Sequence, residues 1–182
     1  MTTRERALEA AVELVGTQGI RALTHSRVDA QAGLPRGSTS NHFRTRAALL
    51  SGVTQWIADQ ETRDLGAILA QQFDDLEGFI DIYSSAIELL TGPYAVRTRA
   101  RYALFLDAAS DPDLFAPLHA RREGMAAWSR SLLVALGAKH PDTALHAFMA
   151  FSDGIVLHRL SVDPGAPVRE SVAVAVRGCL AA

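Results

Sequence analysis

The chain has 182 residues, of which 48% are hydrophobic, 21% charged and 7% aromatic, a composition that excludes a disordered, fibrous or disulfide-built protein. Its formal net charge of −2, from 18 basic and 20 acidic side chains, selects no partner by itself. The charge is uneven, however: residues 1–46 hold Arg4, Arg6, Arg21, Arg27, Arg36, Arg44 and Arg46 against Glu5, Glu9, Glu13 and Asp29, a balance of +3, leaving 11 bases and 16 acids, or −5, for residues 47–182. A basic head before an acidic body hints at a nucleic-acid partner.

The N-terminus opens on Thr2, Thr3, Arg4, Glu5 and Arg6 and lacks the unbroken apolar stretch of a secretion signal. Leu8, Ala11, Val12 and Val15 then recur at helical spacing, widened by Ala7 and Leu14, which predicts a helix over 4–18 with one buried face, stopping around Gly16–Gly19. Thr24 suits the N-cap of a short second helix reaching Ala32. Gly33 ends it, Leu34 packs back, and Pro35 opens a third helix, from Pro35 or Arg36 to about Phe43. Thr45 caps a fourth, with Leu49, Leu50, Val53, Trp56 and Ile57 on its apolar stripe.

Turn signals beyond residue 70 predict helices over Phe73–Leu90, Tyr94–Ala109, Asp113–Leu136, Pro141–Leu160 and Pro167–Leu180. No β-alternation competes, so the expectation is an all-α protein of about nine helices. No run approaches the ~18 apolar residues that span a membrane. Cys179, the only cysteine, excludes an intrachain disulfide and suits a packing residue on an apolar face. Together these features make a cytoplasmic protein the expectation.

The helices 24–32 and 35–43, joined through Gly33-Leu34, form a helix-turn-helix pattern, in which one helix crosses the DNA backbone and its successor enters the major groove. The second segment, Pro35-Arg36-Gly37-Ser38-Thr39-Ser40-Asn41-His42-Phe43, suits that task. It is short and almost wholly polar, whereas a helix serving only to fill a core would be apolar.

Here the chain resembles the TetR (tetracycline-repressor-like) family of regulators. The matching residues are Ala11, Leu14, Val15, Gly19 and Ile20, then Thr24, Val28, Ala32, Gly33 and Leu34. Arg36-Gly37-Ser38-Thr39 follows, and then His42, Phe43, Thr45, Arg46, Leu49 and Leu50, so that the resemblance covers about residues 5–55. Four positions depart from the family's pattern. Ser40 replaces a phosphate-binding tyrosine, Asn41 an often aromatic neighbour, Arg46 a lysine, and Asp29 a small buried alanine. The expectation for Asp29 is a face tipped toward solvent or toward an arginine partner.

The resemblance implies roles by position. Arg36 is the candidate for bidentate contact with guanine, supported by Ser38 and Asn41 beside Gly37, which lets the backbone approach. Thr24, His25, Ser40, His42 and Arg46 are candidates for phosphate contacts, and Ser26 and Arg27 for either kind. Arg21 and Arg44 read as solvated surface. The implied organisation is a DNA-binding domain over 1–46 and a ligand-binding and dimerisation domain over 47–182.

Homodimerisation is implied through helices 141–160 and 167–180, where Ser152, Gly154, Ala173 and Ala175 permit close approach. Trp56, Tyr83, Tyr94, Tyr102, Phe105, Phe115 and Trp128 are the large side chains available to line an apolar effector pocket. Each also suits ordinary core. His140, His146 and His158 with Asp142 and Asp153 supply metal-ligand types without the repeated spacing of a bundle metal site, and His119 with Glu123 reads as a surface pair. No enzyme, metal or cofactor is expected. The expected function is transcriptional regulation, as a repressor binding a palindromic operator as a dimer and released by a small effector. The alternative is a small-molecule-binding or helical interaction protein that keeps the fold without operator binding.

Overall fold

The computed structural model describes residues 1–71, 73–107 and 116–181. In chain order the helices are α1 (Thr3–Gln18), α2 (His25–Gln31), α3 (Ser38–His42), α4 (Arg46–Leu69), α5 (Leu76–Thr91), α6 (Ala95–Asp107), α7 (Ala116–Ala135), α8 (Pro141–Ser161) and α9 (Val168–Ala181), with a 3-10 turn at Ile20–Ala22. No strand occurs among the described residues, in agreement with the all-α expectation. Phe115, one of the aromatic residues singled out above, lies outside the described residues.

The chain divides into two compact units, and the first comprises Met1–Thr62 with Val96–Arg121. A capping box starts α1: Glu5 N–H donates to Thr2 Oγ1 (3.2 Å), and Thr2 N–H donates to Glu5 Oε2 (2.7 Å). The helix buries Ala7, Leu8, Ala11, Leu14 and Val15 against Leu23, Val28, Phe43, Leu49, Leu50, Val53 and Ile57. Ala100 and Leu104 of α6 and Leu118 of α7 complete this core. Gly16 does not end the helix. A Cβ there would lie 2.1 Å from the Val96 carbonyl oxygen, so glycine is needed for the close approach of α6. Deeper in the unit, Glu61 of α4 is only 1% exposed and accepts from Arg101 Nη1 of α6 at 3.1 Å.

The second unit comprises Arg63–Ala95 with Arg122–Ala182. Here α5, α8 and α9 pack on one another around Phe79, Ile80, Phe148, Val172 and Val176. The first of these helices begins at Leu76 rather than Phe73, because Asp75 takes the N-cap and accepts from Gly78 N–H at 2.9 Å. Arg169 and Arg177 of α9 both pair with Glu77 of α5, and Arg169 also with Asp81. Arg122 of α7 forms a two-pronged pair with Asp153 of α8 at 2.7 and 3.1 Å. Cys179 is buried on α9, and desolvation pushes its thiol above the ordinary cysteine range.

Candidate nucleic-acid interface

Thr24 is extended and its hydroxyl accepts from Arg27 N–H, as its N-cap assignment requires. The far end of α2 closes in a Schellman motif. Leu34 N–H donates to Asp29 O (2.8 Å) and Gly33 N–H to Ala30 O (3.2 Å), with Gly33 at φ 61°. Leu34 then packs against the core of the first unit.

The next helix starts later than its sequence suggests. Pro35 and Arg36 lie in a turn closed by Ser38 N–H on Pro35 O (3.1 Å), and Gly37 takes φ 89°, a left-handed conformation that costs glycine little. Only from Ser38 does α3 begin, so Arg36 projects from the turn before the helix rather than from its first turn.

Asp29 explains where α3 begins, and here the expectation of a solvent-facing or arginine-paired carboxylate is overturned. Asp29 is 3% exposed. Its Oδ2 accepts from Gly37 N–H at 2.7 Å, and its Oδ1 accepts from Thr39 N–H at 2.8 Å and from Thr39 Oγ1 at 2.5 Å. Burial opposes the charged form, but these hydrogen bonds and the neighbouring His25 outweigh it and hold the carboxyl below its usual range. A carboxyl depressed in the folded state contributes stability above its unfolded value, and that contribution is lost as pH falls through the folded value. Protection of the Gly37 and Thr39 amides from hydrogen exchange should therefore persist from neutrality down to about pH 4 and disappear only in stronger acid. Loss of protection near pH 6 would contradict this.

Two of the side chains expected at phosphates, His25 and Arg46, also hold the motif's own backbone. His25 Nε2 donates to Phe43 O at 2.6 Å, which places a proton on that nitrogen because a carbonyl only accepts. Arg46 Nη2 donates to Ile20 O at 3.0 Å, while Thr45 caps α4 by accepting from Ala48 N–H at 3.0 Å. Arg6, whose role no sequence pattern marks, donates from Nη2 to Ala32 O (2.7 Å) and Gly33 O (3.4 Å), satisfying carbonyls at the end of α2. Arg4 stands over the Phe43 ring, 5.4 Å from its centre, and Arg27 bonds Gln18 Oε1. No spacing rule separates such clamps from free surface arginines.

Around these ties, Thr24, His25, Ser26, Arg36, Gly37 and Ser40 line one open groove of about 900 Å³, together with Asp29, Ala30 and Leu34. Ser38, Asn41, His42 and Arg46 are not among its lining residues. Ser38 Oγ donates to Pro35 O at 2.7 Å, and Ser40, Asn41 and His42 are exposed on α3. Arg36 is exposed, and no hydrogen bond or ion pair engages its side chain among the described residues.

The candidate effector aromatics fall into both units. Trp56, Tyr102 and Phe105 belong to the first, and Tyr83, Tyr94 and Trp128 to the second. Tyr83 and Trp128 stack at 6.3 Å and 12°, against Phe79 and Phe148, and Tyr83 Oη donates to Ser152 Oγ at 2.8 Å. Among the described residues no cluster of three or more metal-ligating side chains forms, and no helix is long and apolar enough to cross a membrane.

Residues 7–53 match the family described as bacterial regulatory proteins, tetR family, and residues 74–182 match the tetracyclin repressor-like C-terminal domain. No curated protein matches the chain. Among solved structures, a transcriptional regulator from Rhodococcus sp. Rha1 superposes with TM-score 0.85 at 17% identity, over 99% of this chain and 97% of that one, a likeness of fold alone. A TetR-family member from Streptomyces coelicolor A3 gives TM-score 0.75 at 28% identity, over 97% and 98% of the two chains. The multidrug binding protein EbrR, complexed with ethidium, gives 0.70 at 28%, over 98% and 99%. With family matches over both parts of an all-helical chain, and a turn-and-helix presenting polar side chains within the first of them, the protein belongs to the TetR family of transcriptional regulators.

Proposed function

We propose that the protein is a sequence-specific repressor that binds a palindromic operator as a homodimer and releases it on binding a small-molecule effector. Residues 1–46 serve as the DNA-binding domain and 47–182 as the ligand-binding and dimerisation domain. The observation that carries the reading is the division of labour among the polar side chains of residues 1–46. His25, Asp29, Arg6 and Arg46 hold backbone, whereas Arg36, Ser40 and Asn41 are exposed on the turn and on α3. Arg36 is the candidate guanine reader, with Ser38 and Asn41 in support. Thr24, His25, Ser40, His42 and Arg46 are the candidates for phosphates, Ser26 and Arg27 for either kind of contact, and Gly37 lets the backbone approach.

The dimer proposal is supported by α8 and α9. Inward they bury Phe148, Val156, Val172 and Val176, yet Leu157 (41% exposed) and Val174 (74%) face outward, beside exposed Ala147, Ala150, Gly154 and Gly178. Helices apolar on both sides suit burial on both. Symmetric pairing would set two reading segments about one helical turn apart on DNA. For the effector, EbrR's complexes with ethidium and proflavin support a small molecule, with Trp56, Tyr83, Tyr94, Tyr102, Phe105, Phe115 and Trp128 as candidate contacts.

A salt titration of binding to the DNA flanking the protein's own gene tests the proposal. A steep fall in affinity with salt and a palindromic footprint are the expected result. Absence of any specific footprint at low salt would sink it and leave the small-molecule-binding reading, which the short Ser40 side chain favours. On the footprinted DNA, Arg36→Ala should weaken binding by about 1–3 kcal/mol and relax the preference at one base pair. Arg46→Ala should weaken binding to all sequences and flatten the salt dependence. Equal loss on specific and random DNA for Arg36→Ala would overturn its reading role.

A further inference from the structure

At only five residues, Ser38–His42, α3 is far shorter than a helix that is stable alone. Its N-cap is Gly37, which offers no side-chain acceptor for the first amides. Both ends are instead gripped from outside. His25 and Asp29 stand four residues apart on α2 and so share a face of it. Asp29 takes the Gly37 and Thr39 amides and the Thr39 hydroxyl at one end. His25 takes the Phe43 carbonyl at the other.

We infer that Asp29 is the positioning residue of the reading segment, supplying from α2 the cap that α3 lacks and thereby fixing the presentation of Arg36, Ser40 and Asn41. This rests on the DNA-reading function proposed above. Three donors converge on one buried carboxylate, and bonds to an ionised acceptor are about twice as strong as neutral ones. The same residue's main-chain oxygen accepts from Leu34 N–H. Asp29 therefore anchors the intervening turn at its entrance through the backbone and at its exit through the side chain. Arg36 lies between those anchors and takes its direction from them. Base reading by paired hydrogen bonds depends on such fixed geometry, whereas attraction to phosphate tolerates movement.

Asp29→Asn keeps the size of the side chain but removes the charge and one acceptor oxygen. The probe is a duplex that the wild-type protein selects from a random-sequence pool, compared with an unselected duplex at the same salt. Affinity for the selected duplex should fall about tenfold or more, against less than about threefold for the unselected one. Without DNA, exchange at the Gly37 and Thr39 amides should quicken by about tenfold while the Leu8 and Val15 amides stay protected. Should Asp29→Asn fail to fold, Thr39→Val removes one of the three bonds at nearly constant volume and should lower the selected-to-unselected ratio, and Thr39→Ser, which keeps the hydroxyl, should restore it. Equal losses on both duplexes, or unchanged exchange at Gly37 and Thr39, would overturn the inference. A wild-type protein that selects no duplex would overturn the DNA-reading proposal itself, a result distinct from a wild type that selects and a variant that matches it.

Discussion

Gly16→Ala is expected to lower stability by about 2–3 kcal/mol, the cost of forcing a methyl group into a closed contact. Two effects oppose each other here. In an exposed helix interior alanine is better than glycine by about 1 kcal/mol. At this site, however, the new Cβ would lie 2.1 Å from the Val96 carbonyl oxygen and 2.7 Å from its Cγ1. The first of these atoms is backbone, at the start of α6, and cannot rotate aside as a side chain can. The clash therefore outweighs the propensity. Chemical denaturation with an unchanged slope and a lower midpoint is the expected observation, and a stabilised variant would mean that α1 and α6 do not approach this closely.

Phe79→Ala is expected to cost about 3–5 kcal/mol, a large part of the total stability of an ordinary domain. Phe79 is fully buried, and its ring meets four others. The centroids of Phe73, Tyr83, Trp128 and Phe148 lie at 5.6, 5.7, 6.1 and 5.9 Å. Truncation removes both the transferred area and the tilted ring contacts, and surrounding rings cannot collapse freely into the gap. Phe79→Leu, which retains most of the volume, should recover well over half of the loss in thermal unfolding. Similar midpoints for the two variants would show that the aromatic contacts, rather than the filled space, dominate.

Much of the helical order is legible in the sequence because its punctuation is local. Thr24 caps α2, Gly33 and Leu34 close it, Thr45 caps α4 and Pro141 opens α8, each through a contact within a few residues. What the sequence does not reveal comes from contacts distant in the chain or from choices among equal surface charges. The start of α3 is set by Asp29, ten residues before Thr39, so a window centred on Pro35 misplaces it. Arg6 reaches residues 32 and 33 across 26 positions or more, and nothing in its neighbourhood distinguishes it from Arg21. Phe79 and Phe148 follow ordinary helical spacing, which marks them as buried without marking them as neighbours of Tyr83 and Trp128. The exposure of Arg36, by contrast, is legible in the polar run around it, though its seat in the turn before α3 is not.

The core beneath the reading segment is discontinuous in sequence: Leu8 and Val15 share it with Ala100, Leu104 and Leu118. Recombination that exchanged only the first sixty or so residues with a homologue would set one protein's α1 against another's α6, at a junction where Gly16 leaves no clearance. Under the proposed function, operator preference should thus be transplanted by altering a few exposed side chains, such as Arg36 and Asn41, more readily than by moving the whole N-terminal segment. Chimaeras that also carried residues 96–121 would keep the native surfaces of this core together.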